Sequence, residues 1–137
     1  MFPKHYDYNH NEPQYYPFEK KEDGSWDTEH PCFAYWDHME EIINRLGAMG
    51  IQSDLILFHP YDRWKFSEMS MEENLSYLDY LLRRFSAIPY IWWSLANEYD
   101  LCFAKSLDDW HTIEQYVHDN DPFGHLLSNH NCFQFYD

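Results

Sequence analysis

Apolar positions recur along the chain with two alternating periods. From about Phe33 to Met49, Trp36, Met39, Ile43 and Leu46 fall at steps of three and four, the spacing of one helical face, and Gly50 stops the run. Ile51 to Phe58 carries the β-prone core LILF between Gly50 and the turn-like His59-Pro60-Tyr61-Asp62, which predicts a buried strand. Ser70 stands three residues before Glu73, a capping box, and Leu75, Leu78, Leu81, Leu82 and Phe85 form the stripe of a second helix that ends before Pro89. The apolar run YIWWSLA at Tyr90 to Ala96 reads as a second strand. Ser106 with Asp109 opens a third helix that turns Leu107, Trp110, Ile113 and Val117 inward. After the turn Asp121-Pro122-Phe123-Gly124, His125 to His130 reads as a third strand.

Helix, strand, helix, strand, helix, strand is the order that builds a parallel sheet covered by helices, an α/β fold. Ligands of such folds bind at the carboxyl ends of the strands, which here are His59 to Trp64, Asn97 to Asp100 and His130 to Cys132. Glu98 follows a run too apolar to keep an unpaired carboxylate, so it is either solvated at the surface or held in a cleft. Residues 5–30 show neither period and are rich in Asn, Asp, Pro and Gly, and are expected to be a long loop.

The 137 residues suffice for a single domain, and the −15 formal charge, from 9 Lys and Arg against 24 Asp and Glu, disfavours nucleic acid and anionic membrane surfaces as partners. Aromatic residues make up 20% of the chain, with 12 Tyr and 6 Trp, and suit a wet cleft as well as a core. Three cysteines without CxxC spacing argue against a disulfide framework or zinc knuckle. The start of the chain shows no secretion-signal pattern, so a cytoplasmic location is expected. His111 with His118 and His125 with His130 have poor spacing for one metal ion, so neither metal nor cofactor is expected. A Gly-rich phosphate loop and a GxSxG elbow are both missing.

Ser94-Leu95-Ala96-Asn97-Glu98 resembles the end of the fourth barrel strand in clan A of the retaining glycoside hydrolases, where an Asn-Glu pair supplies the acid/base. FHPYDRW at Phe58 to Trp64 lies one βα unit upstream and LLSNHNC at Leu126 to Cys132 one unit downstream. Together they resemble a group of bacterial proteins inferred to be glycoside hydrolases with a (β/α)8 barrel, and the likeness extends along nearly the whole chain. The resemblance implies about half a barrel, a single partial domain over residues 1–137 that runs from the end of strand two, at Met1 to Lys4, to strand five. A complete barrel needs about 250 residues. The family nucleophile is a second Glu at the end of strand seven, two strands further on, so its identity here is unknown.

Retaining hydrolysis requires one carboxyl group to protonate the leaving oxygen and another, about 5 Å away, to attack the anomeric carbon. Glu98 would be the general acid/base, and Asn97 would donate to the sugar 2-hydroxyl. Strict strand alternation sends neighbouring side chains to opposite faces, so both reach one cleft only if the strand bends there. The resemblance also makes His59 and Asp62 holders of sugar hydroxyls and Trp64 a stacking face, with His130 and Asn131 at the equivalent strand end one unit on. In the loop, Tyr6, Tyr8, Tyr15, Tyr16 and Trp26 offer rings and Asp7, Asn9 and Asn11 polar groups for one wall of the cleft. Glu12, Glu19 or Glu68 could approach Glu98. The alternative is a catalytically incomplete carbohydrate-binding or structural remnant. For either, unpaired strand edges imply self-association or a chain that completes the barrel.

Overall fold

The computed structural model describes residues 1–8 and 10–136. Two strands, β1 (Phe18–Lys20) and β2 (Trp26–Pro31), pair antiparallel, and helix α1 (Phe33–Ala48) follows. Then come β3 (Ser53–Phe58), α2 (Met71–Phe85), β4 (Ile91–Ala96), α3 (Leu107–Asn120) and β5 (Leu127–Ser128). Single 3-10 turns at Phe66–Glu68 and Tyr99–Leu101 lie in the loops after β3 and β4. Strands β3, β4 and β5 form one parallel sheet in that order, with Ser53 opposite Ile91 and Ser94 opposite both Ile56 and Ser128.

The local signals explain these elements. Ser70 accepts the Glu73 N–H while Glu73 reaches back to the Ser70 N–H at 2.8 Å, and Ser106 and Asp109 make the same reciprocal pair at the start of α3. The inward stripe of α2 is realised as buried Leu78, Leu81, Leu82 and Phe85, packed with Trp36 of α1. Trp93, Trp110 and Ile113 close the core between β4 and α3. None of the helices, among the described residues, is long and apolar enough to cross a membrane.

Two expectations change. The loop expected over residues 5–30 contains the β1–β2 hairpin, which turns through Lys21 to Ser25 with Gly24 at φ 84°. Its register shifts between Phe18 and Glu19; β1 is only three residues long and β2 has no fully buried residue, so neither writes a two-residue alternation into the sequence. The third strand, expected over His125 to His130, is regular only at Leu127–Ser128. Its backbone stays attached to β4 on either side, with Trp93 N–H on the Leu126 carbonyl at 2.9 Å and His130 N–H on the Ala96 carbonyl at 3.1 Å.

Met1 and Phe2 are buried beside the end of β3. The Met1 amino group donates to the Leu57 carbonyl at 2.7 Å and to the Ile56 carbonyl, and the Tyr35 hydroxyl donates to the Met1 carbonyl at 2.6 Å. His5 then bonds the Tyr61 carbonyl through its backbone N–H at 2.7 Å, so the segment that follows begins at the carboxyl end of the sheet.

Candidate active site

Glu98 lies immediately beyond β4. The Asn97 N–H prolongs the ladder to the Phe58 carbonyl at 3.0 Å, and Glu98 then adopts the left-handed conformation, φ 57° and ψ 60°. A side chain in that region costs on the order of 1–3 kcal/mol, and such residues concentrate at functional sites. The turn provides the bend that alternation required: Asn97 Nδ2 donates to Glu98 Oε2 at 3.2 Å, so both groups meet on one side of the strand end.

Two further side chains converge on this half-buried carboxylate. The Tyr61 hydroxyl, from the loop after β3, donates to Glu98 Oε2. The Cys132 thiol, from the segment after β5, lies near enough to sense the carboxylate: burial, followed by the charge of Glu98, raises its pKa. Loops from all three parallel strands thus meet at Glu98. Sequence reasoning missed Tyr61 and Cys132 as partners, because only the three-dimensional meeting of strand ends brings them there.

The other expected site residues are placed as follows. His59 is 2% exposed; Nε2 bonds the Phe2 carbonyl at 3.0 Å and Nδ1 accepts the Tyr61 N–H at 3.1 Å. Both nitrogens are engaged with backbone, so the ring fastens the amino-terminal segment and the Tyr61 loop. Burial first, and then the amino-terminal charge, lowers its pKa to about 4. Asp62 accepts the Phe66 and Ser67 N–H groups, each at 3.0 Å, and so caps the 3-10 turn of its own loop. Trp64 is half-buried; its indole N–H reaches Glu12 Oε2 at 3.2 Å and its ring meets Tyr16 edge-on. The His130 backbone bonds Ala96 and Tyr99, while its ring lies 3.9 Å from the Asp54 carboxylate. Asn131 is exposed next to it.

The amino-terminal loop flanks this face. Tyr6 stacks on Tyr61 with ring centroids 5.9 Å apart, and Tyr8 stacks on Tyr6 at 5.3 Å. Tyr8 is 85% exposed and Tyr15 is exposed, whereas Tyr16 and Trp26 pack together at 4.8 Å. Asp7 and Asn11 are exposed, and Asn9 lies outside the described residues. Glu12 pairs with Arg63 and accepts the Tyr16 hydroxyl, Glu19 is exposed on β1, and Glu68 lies 3.6 Å from Lys65. His111 contacts Glu114 and Tyr136, His118 contacts Asp119, and His125 bonds Asp121. Among the described residues, no three His, Cys, Asp or Glu side chains converge as metal ligands would.

The parallel strands β3, β4 and β5 with their helices form part of a (β/α)8 barrel of the class found in glycoside hydrolases. The chain belongs to the family described as "Apiosidase-like, catalytic domain", whose model matches residues 4–136. A crystal structure from Bacteroides vulgatus ATCC 8482, of a protein whose assignment as a glycoside hydrolase is itself inferred, superposes with a TM-score of 0.93 at 40% identity, over 99% of this chain and 29% of that one. A family 5 glycoside hydrolase from the same organism shares the fold, with a TM-score of 0.60 at 21% identity over 82% of this chain and 26% of its own length. The chain therefore spans less than a third of either solved structure. No curated protein matches it.

Proposed function

We propose that the chain carries the acid/base half of a retaining O-glycosidase site, with Glu98 as the proton donor. The observation that carries this reading is the convergence of Tyr61 and Asn97 on the carboxylate of a left-handed residue at the end of β4. In the first step Glu98 gives its proton to the glycosidic oxygen as the anomeric carbon–oxygen bond breaks and a second carboxylate attacks that carbon. In the second step Glu98 takes a proton from the water that releases the sugar. Asn97 gives one N–H to Glu98 and its amide has a second, which would donate to a sugar 2-hydroxyl. The reading places residues 1–137 from the end of strand two to strand five of the barrel and the nucleophile on another strand. The family description points to glycosides of apiose, a branched pentose, as the substrate class.

The test is Glu98→Gln in a polypeptide carrying the whole barrel. Hydrolysis of unactivated glycosides should fall about a hundredfold or more, while the first step on aryl glycosides with good leaving groups is spared. Equal rates of variant and parent on an unactivated disaccharide would refute it.

The second reading, carbohydrate binding without turnover, is favoured by one observation: the partners of Glu98 described above are a phenol, an amide and a thiol, and supply no second carboxyl. Both readings take a glycoside as ligand. Both also leave β5, two residues long, at the sheet edge beside exposed Leu126. Such an edge recruits further strands, so this chain on its own is expected to self-associate. Light scattering that reports a stable monomer would count against it.

A further inference from the structure

We infer that Tyr61 is the positioning residue of the acid/base, acting through its hydroxyl on one oxygen of Glu98; this rests on the proposed role of Glu98 and adds to it. Three observations lead there. First, the Tyr61 hydroxyl and Asn97 Nδ2 both donate to Oε2. An oxygen that already accepts two hydrogen bonds is the poorer place for a third hydrogen, so the proton that Glu98 transfers rides on Oε1. The two donors thereby fix which oxygen faces the leaving group.

Second, Tyr61 is not available as a stacking surface. Its ring is engaged by Tyr6 at 5.9 Å, by His59 at 6.4 Å, and by the Lys4 ammonium 5.5 Å from its centroid. The hydroxyl is what remains to act on a ligand site, and it is committed to Glu98. Third, the residue is held at both backbone groups, with its N–H on His59 Nδ1 and its carbonyl on the His5 N–H. Buried His59, whose own Nε2 is tied to the Phe2 carbonyl, anchors it. A phenol fixed on all sides, with its one polar end on the reacting carboxyl, is built to aim that carboxyl rather than to bind sugar.

Tyr61→Phe keeps the ring contacts and removes only the donor. The measurement is steady-state hydrolysis by a polypeptide carrying the whole barrel. On unactivated glycosides kcat should fall about tenfold in Tyr61→Phe with KM and the thermal midpoint little changed, while the first step on aryl glycosides with good leaving groups, which needs no proton, is spared. An unchanged kcat on the unactivated substrate, or an equal loss on both substrates, overturns the assignment, since a ring that only packs would not act through the proton transfer. Failure of the acid/base reading is distinct, because it shows as an unchanged rate in Glu98→Gln.

Discussion

The Asp100 carboxylate accepts the backbone N–H of Cys132 at 2.7 Å. It also takes the N–H groups of Phe133 at 2.7 Å and Gln134 at 2.9 Å, and so fastens the segment that brings Cys132 to Glu98. Burial alone would raise the Asp100 pKa, but the three backbone donors outweigh it and hold the group below the usual carboxylate range.

Because the folded pKa is depressed, this latch is complete above the unfolded Asp value, about 3.9, and is lost as pH falls through the folded value. The protection of the amides of residues 132–134 against hydrogen exchange, taken relative to the intrinsic rate at each pH, should fall on acidification through that window, and at neutral pH in Asp100→Ala. Protection that survives the substitution would show that something else holds the segment.

His59 makes a separate pH signature. Its folded pKa of about 4 lies below the ordinary 6.5 because burial penalises the imidazolium. Between those values the unfolded chain binds a proton that the folded chain does not, so stability falls as pH drops from 6.5 to 4 and is fully present above 6.5. The difference corresponds to about 3 kcal/mol. Denaturant unfolding at the two pH values should show a steeper loss in the parent than in His59→Gln. Parallel losses in the two proteins would mean that other groups carry the acid sensitivity.

What was legible in the sequence had local causes. The capping boxes at Ser70 and Ser106 and the stripe from Leu75 to Phe85 are written within a few residues, and the structure reproduces them. The apolar run before Glu98 announced a strand, whereas the sequence left open whether it bends at Asn97–Glu98, which it does through one left-handed residue. The β1–β2 hairpin was illegible because β1 is three residues long and β2 has no fully buried residue, although Asp23-Gly24 was a usable turn signal. Tyr61 and His59 stand two residues apart, yet one ends on Glu98 and the other on the Phe2 carbonyl. Nothing in the string HPYDRW separates a residue that serves the site from one that supports it, since the difference lies in partners 37 and 57 positions away.

The amino-terminal segment, loop and hairpin together, offers the last test, because it contains rings of two kinds. Tyr8 is 85% exposed and touches Tyr6 in the stack that leads to Tyr61 and Glu98. Trp26 is half-buried against Tyr16 and Phe66, and its indole N–H donates to the Trp64 carbonyl at 2.9 Å. If the loop forms a wall of a sugar cleft, Tyr8→Ala should weaken binding of an apiose-containing oligosaccharide about fivefold, the equivalent of one stacking contact of about 1 kcal/mol. Its stability should stay within about 0.5 kcal/mol of the parent, as for other exposed side chains. Trp26→Ala should instead cost about 3 kcal/mol of stability by leaving a cavity and an unpaired carbonyl. Isothermal titration calorimetry and denaturant unfolding of the two variants separate the roles. Unchanged affinity in Tyr8→Ala would reduce the stack to a rim that only holds Tyr61 in place.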